Sequence, residues 1–252
     1  MNVHVATLAP HGAPTTGFYI ETLHELRVMR DGDHLAWPKV GVGIPTLRRM
    51  FSYLLAHPDE LISMRVLLEI AGSRAERSGF PVSGLLSMLR KWGLHPAIER
   101  KGHGMACRLR LRRNALWRSD TDAIDLALAQ LNVARSAGDA AAELAALRSG
   151  AIHCKGHFLP DYDGPPDYPI DAQRDHWADK QKVMLRSLAR YCAHSTDSAL
   201  YPEGYAAIQR ALYLDHESVQ SNELAQLLAE LLDDRRAAKR YQQRVLSLRQ
   251  RN

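Results

Sequence analysis

The sequence predicts a mainly α protein in which a small α/β module is followed by an all-helical domain. Three observations carry this. Short alternating segments bounded by Gly, Asp and Pro are confined to about the first 110 residues. Beyond Ser119 the apolar residues recur at helical spacing, with short polar turns between the runs. The charge divides at the same place: residues 1–113 carry 16 Lys and Arg against 9 Asp and Glu, and residues 114–252 carry 17 against 19. A basic first part joined to a near-neutral second suggests a polyanion-facing module on a helical scaffold.

Residues 1–20, with His11-Gly12-Ala13-Pro14-Thr15-Thr16-Gly17 and no periodicity, are expected to form a flexible lead-in. Leu23 to Met29 and His34 to Trp37 flank Arg30-Asp31-Gly32-Asp33, a turn sequence, and predict a hairpin. Leu47, Met50, Phe51, Leu54 and Leu55 fall on one face of a first helix that ends at His57-Pro58. Ser63 is an N-cap for a second helix with Val66, Leu67 and Ile70 inward and Gly72 beyond its end. A polar stretch, Ser73 to Gly79, precedes a third helix from about Pro81 to Trp92 with Val82, Leu85, Leu86 and Leu89 inward. Two short alternating runs, Ala97–Arg100 and Met105–Leu111, flank Lys101-Gly102-His103-Gly104 and predict a β-ribbon. Three helices followed by a ribbon are the parts of a winged helix, here over residues 21–113.

Arg112 to Trp117 is the expected junction. Ser119 with Asp122 three residues on resembles a capping box, and Ile124, Leu128 and Leu131 form the apolar face behind it. Gly138-Asp139 breaks that helix, and an Ala/Leu-rich one runs to about Cys154. After a Pro-rich bend, Pro160 to Pro169, helices are expected at about 170–194, 201–214, 217–230 and 233–249. Such lengths and turns predict stacked helix pairs of TPR-like type over residues 119–252, with Leu212 and Leu227 packed between neighbours.

The composition narrows the function. No apolar run reaches the roughly 18–20 residues of a membrane span. The N-terminus lacks a basic region followed by an apolar one. Cys107, Cys154 and Cys192 are an odd set without CxxC spacing, which suits free thiols in the cytoplasm. There is no phosphate-cradling glycine loop, nucleophile elbow or HExxH, so no catalytic residue is expected. Asp161, Asp163, Asp167 and Asp171 cluster in the Pro/Gly bend, where Asp serves turns. His153-Cys154-x-x-His157 offers three candidate ligands on one segment but no second cluster to complete a structural zinc. No metal or cofactor is expected.

Several stretches together resemble a known family. They are Ala151-Ile152-His153-Cys154-Lys155-Gly156-His157-Phe158-Leu159-Pro160, Asp171 to Asp175, Ala207 to Asp215, and the closing helix Arg235-Arg236-Ala237-Ala238-Lys239-Arg240-Tyr241. In this order they resemble the bacterial transcriptional activator domain of SARP-type regulators. In that family an OmpR-like winged helix precedes the activator domain. Leu89-Arg90-Lys91 is similar to its third-helix signature, and Ala106-Cys107-Arg108-Leu109 stands where the family has G-Y-R-L. The resemblance implies transcriptional control through DNA binding.

The third helix would then be the recognition helix, its outward face formed by Gly84, Ser87, Met88 and Lys91 with Ser83 and Arg90 beside them. The ribbon adds Arg100, Lys101, His103, Arg108 and Arg110, cations suited to phosphates or a minor groove. Arg48, Arg49 and Arg65 are further candidate phosphate contacts. A second reading stands beside this one, because charged edge strands also discourage aggregation. The expected partners are duplex DNA through Ser83, Ser87, Arg90, Lys91, Arg100, Lys101, His103 and Arg108, and RNA polymerase, another regulator or a second protomer through the helical domain. The alternative is an adaptor whose winged helix binds proteins or a small effector.

Overall fold

The computed structural model describes residues 17–72, 80–165 and 168–251. The polar stretch Ser73 to Gly79 and Asp167 lie outside the described residues, as does most of the expected lead-in.

Phe18–Glu21 (β1), Arg27–Arg30 (β2) and Asp33–His34 (β3) form an antiparallel meander. The β2–β3 hairpin turns through Asp31 (φ 53°) and Gly32 (φ 94°), two positive-φ residues whose twist matches the flanking strands. The first strand corrects the expected lead-in: the module already begins at Phe18. Phe18 and Ile20 alternate inward and are buried, a period-2 pattern too short to stand out after the Pro/Thr/Gly run.

Helices Ile44–Ala56 (α1), Met64–Ala71 (α2) and Phe80–Trp92 (α3) pack on one another, with strand Ile62–Ser63 (β4) ahead of α2. The inward α1 set read from the sequence is fully buried apart from a trace at Leu55. Ser63 caps α2, its Oγ accepting from Val66 N at 3.3 Å. The α2 core face is shifted by one residue, with Leu68 buried and Val66 half-buried. Ile98–Lys101 (β5) and Arg108–Leu111 (β6) form the ribbon, and β6 also pairs with β4.

Six helices follow: Asp120–Ala137 (α4), Ala140–Ala151 (α5), Tyr168–His194 (α6), Tyr201–Leu214 (α7), Val219–Leu231 (α8) and Arg235–Arg249 (α9). They pack as the pairs α4/α5, α6/α7 and α8/α9, joined by α5 on α6 and α7 on α8. Ser119 and Asp122 form the capping box, and Asp139, Ser218 and Asp234 cap α5, α8 and α9. Small residues set the helix spacing: a Cβ on Gly204 would lie 2.6 Å from Cys192 Cβ. Leu212 is partly buried, as expected, but Leu227 is 36% exposed and Leu228 is the packed residue. The cap at Ser218 fixes a phase in which Ser221, Asn222, Ala225, Leu228 and Ala229 face inward; the small residues of that face carry little hydrophobic signal. Cys107, Cys154 and Cys192 are buried free thiols. Among the described residues no helix is long and apolar enough to cross a membrane.

At the expected junction Arg112, Arg113 and Ala115 are exposed, and the chain then enters a strand. Trp117–Ser119 (β7) pairs in parallel with β1 and completes a sheet of order β3-β2-β1-β7. One continuous hydrophobic core runs from Phe18 to Leu228. At its centre Asp120, fully buried, accepts from Thr22 N (2.8 Å), Thr22 Oγ1 (2.6 Å), Leu23 N (2.8 Å) and Thr121 N (3.0 Å).

Burial pushes the Asp120 carboxyl from 3.8 up to about 6, against the downward pull of the Thr22 and Leu23 hydrogen bonds. Between these values the folded state holds a proton that the unfolded state has lost. The stability from this group is thus greatest below about pH 4 and is lost as pH rises through 6. Asp120→Asn is expected to remove about 2–3 kcal/mol of this pH dependence in urea unfolding between pH 4 and 7. Parallel pH profiles for the two proteins would contradict it.

Candidate nucleic-acid interface

Ser83, Ser87, Arg90 and Lys91 share one stripe of α3, at i, i+4, i+7 and i+8. Ser83, Arg90 and Lys91 are exposed and Ser87 is half-buried. Gly84 and Met88, expected on the outward face, are buried. The reason is the segment between β3 and α1, which folds over that flank. A Cβ on Gly84 would lie 2.4 Å from Val42 Cγ2. Trp92 Nε1 donates to Ala36 O at 3.1 Å, and the Trp37 and Trp92 rings meet edge-on with centroids 5.0 Å apart. Lys91 Nζ donates to Lys39 O at 3.1 Å. The accessible strip is therefore narrower than the sequence suggests, and one of its two cations is tethered.

After Gly93 and Leu94 the chain passes through a single 3-10 turn, His95–Ala97, directly into β5, so α3 and the ribbon are consecutive. Pairing places Glu99 opposite Arg110 and Lys101 opposite Arg108, all on one ribbon face. Arg100 lies on the other face, opposite Leu109, and its Nε donates to Cys107 Sγ at 3.2 Å. The turn requires glycine at 102: φ is 79°, and a Cβ would lie 2.8 Å from Ala106 O. His103 is exposed at its tip. Arg90 and Arg108 make no ion pair with the described residues.

Glu99 is the acid on this face that the charge count hid. Its carboxylate lies 2.9 Å from Arg112 Nε, 3.5 Å from Lys101 Nζ and 3.6 Å from Arg110 Nε. Burial opposes its charge, but the hydrogen bond from Arg112 and the charges of Arg112, Arg110 and Lys101 hold its carboxyl below the usual range. The signal was present as an acid two residues before Lys101 on a strand, where i and i+2 share a face.

The expectation for Arg48 and Arg49 resolves differently. Arg49 donates to both carboxylate oxygens of Asp163 at 2.9 and 3.1 Å, and Arg48 lies 3.8 Å from Asp161 and stacks over Trp37. These arginines bind the Pro-rich bend of the helical half and are not available to phosphates; Arg65 stays exposed on the first turn of α2. Among the described residues no three His, Cys, Asp or Glu converge as for a metal. His153 instead meets the Tyr19 hydroxyl at 2.8 Å, Cys154 points to Gly150 O, and His157 packs on Tyr213. The carbonyls of this connector are held by long side chains: Gln181 binds Gly156, Arg174 binds Phe158 and Leu159, and Arg210 binds Ala151 and Cys154.

The same overall fold is found in a solved structure of Mycobacterium tuberculosis EmbR, a SARP-family regulator, in complex with a low-affinity phosphopeptide. The match has a TM-score of 0.61 at 15% sequence identity and covers 90% of this chain. The fold is SARP-like. This chain spans 58% of the length of that protein. No protein-family model and no curated protein matches the sequence.

Removing the Glu99 charge leaves Lys101, Arg110 and Arg112 without their shared counter-ion. If this face meets phosphates, Glu99→Gln is expected to tighten duplex binding several-fold at low salt and to steepen its salt dependence. Anisotropy titrations at two or more salt concentrations read both quantities; unchanged affinity would remove the ribbon face from the interface.

Proposed function

We propose that the chain is a DNA-binding transcriptional regulator of SARP type. Residues 21–113, extended by β1, grip duplex DNA, and residues 119–252 recruit RNA polymerase, another regulator or a second protomer. The observation that carries this reading is the unbroken passage from the α3 stripe to the ribbon, with Arg90 and Arg108 left without acidic partners among the described residues. Lys101, His103 and Arg108 lie along phosphates, while Ser83, Ser87, Arg90 and Lys91 face base edges. Arg100 contributes from the far face of the ribbon. The role is one of binding and recruitment in the cytoplasm, without catalysis.

One set of observations favours a second reading. The α3 stripe has no Asn or Gln, Lys91 is tied to Lys39, and Glu99 neutralises part of the ribbon. An adaptor that binds proteins or a small effector would need none of those cations free.

The two readings part on one titration of the intact protein against promoter-length and random duplexes at low and moderate salt. Regulator binding weakens as salt rises, and Lys101→Ala with Arg108→Ala lowers affinity for every sequence and reduces the log–log slope by about 0.9 per lost contact. Lys91→Ala changes the preference between sequences. If no duplex binds better than about 10⁻⁴ M at moderate salt, the adaptor reading takes its place.

A further inference from the structure

We propose that the trough between α7, α9 and the connector after α5 is a docking groove for an extended acidic segment of a partner protein. The inference deepens the recruitment half of the preceding reading and rests on it only in taking a protein as the occupant.

Two clefts, of about 460 and about 710 Å³, share Gln209 and Tyr213 and so form one trough. Its walls come from α7, the connector Cys154–Gly156, the start of α8 and the middle of α9. The wall residues include Lys155, Arg210, Arg240, Arg244 and His216, and no Asp or Glu. That one-sided charge stands out because residues 114–252 carry more acids than bases, 19 against 17. A trough lined with one sign of charge focuses the field on ligands of the other.

The cations differ in how far they are already satisfied. Arg210 donates only to the carbonyls of Ala151 and Cys154, and burial weakens its hold on its proton. With no carboxylate paired to it among the described residues, it is a half-buried charge awaiting an anion. Arg240 stacks over Tyr241 at 5.1 Å and has no acidic partner among the described residues. Arg244 lies 3.8 Å from Glu217, too far for a hydrogen bond, and Lys155 is paired with Glu21. Of the other cations on and after α9, Arg249 meets Glu223, Arg251 lies 3.7 Å from Glu217, Arg235 is 92% exposed beside Asp233, and neither Arg236 nor Lys239 lines the trough. Arg240 and Arg244, one helical turn apart, are the pair that α9 gives to the trough.

At the point where the clefts join, Tyr213 is 66% exposed. An exposed tyrosine beside Arg210 and Arg240, neither of them paired with a carboxylate among the described residues, has the composition of a binding hot spot. The trough continues past it on both sides, which suits an extended chain with carboxylates at intervals, with apolar side chains against Tyr213 and Leu212.

The test uses the full chain and three fluorescein-labelled probes: a ten-residue peptide alternating Glu with Leu and Gly, its Gln counterpart, and a random DNA duplex. The acidic peptide is expected to bind roughly tenfold or more tightly than the Gln peptide and to weaken with salt. Arg240→Gln with Arg244→Gln, and separately Tyr213→Ala, should each cost roughly tenfold in peptide affinity, with circular dichroism unchanged. These residues are exposed or line the trough, so the test does not depend on Arg210, whose loss would free two buried carbonyls. Lys101→Ala with Arg108→Ala should leave peptide binding unaltered. Equal binding of acidic and Gln peptides, or no effect of the trough variants, overturns the proposal. So does loss of duplex binding in the trough variants, which would make the trough a nucleic-acid surface. Failure of the duplex to bind at all leaves the peptide result standing and bears on the regulator reading alone.

Discussion

The carboxylate of Asp120 sits in the middle of this molecule with no cation beside it, held by four donors and by the start of a helix. Two of the donors are the backbone N–H groups of Thr22 and Leu23, just past the end of β1. An unsatisfied N–H there would cost on the order of 1–3 kcal/mol. The negative charge lies in the first turn of α4, where the helix dipole favours it. One side chain thus ends a strand of the first half and begins a helix of the second, and the geometry of both depends on it.

Other contacts across the same boundary repeat the arrangement. His24 N donates to His157 O at 3.0 Å and Leu159 N to Thr22 O at 2.7 Å, so the connector lies along the chain that follows β1. Gln173 donates to the carbonyl of Ala56 at the end of α1, and Arg49 holds Asp163. The ribbon and α3 are therefore carried at a set angle to the helical stack. One cleft of the stack is lined by Cys154–Gly156, and the same connector meets the first half where His153 bonds Tyr19 and Lys155 pairs with Glu21.

The long helices were legible because their caps and apolar periods agree: Ser119 with Asp122, Gly138-Asp139 and the α1 stripe state their elements directly. The α3 and ribbon residues were legible as a set, but their accessibility was not. Nothing local to Gly84 announces that Val42 folds over it, since that contact joins residues some 40 apart in the chain. Arg48 and Arg49 looked like surface cations for the same reason: their partners are more than a hundred residues away. The continuity of the core was hidden by charge, because the drop from basic to slightly acidic near residue 113 marks a change of surface and not a change of core.

The central claim is that the two halves are one cooperative unit tied through Asp120 and β7. Native-state hydrogen exchange in low concentrations of denaturant tests it directly. The slowest amides of α1 and of α4 to α6 are expected to open with one common free energy and the same denaturant dependence. Protection of α4 to α6 that survives after α1 to α3 have opened would show two independent modules and contradict the account.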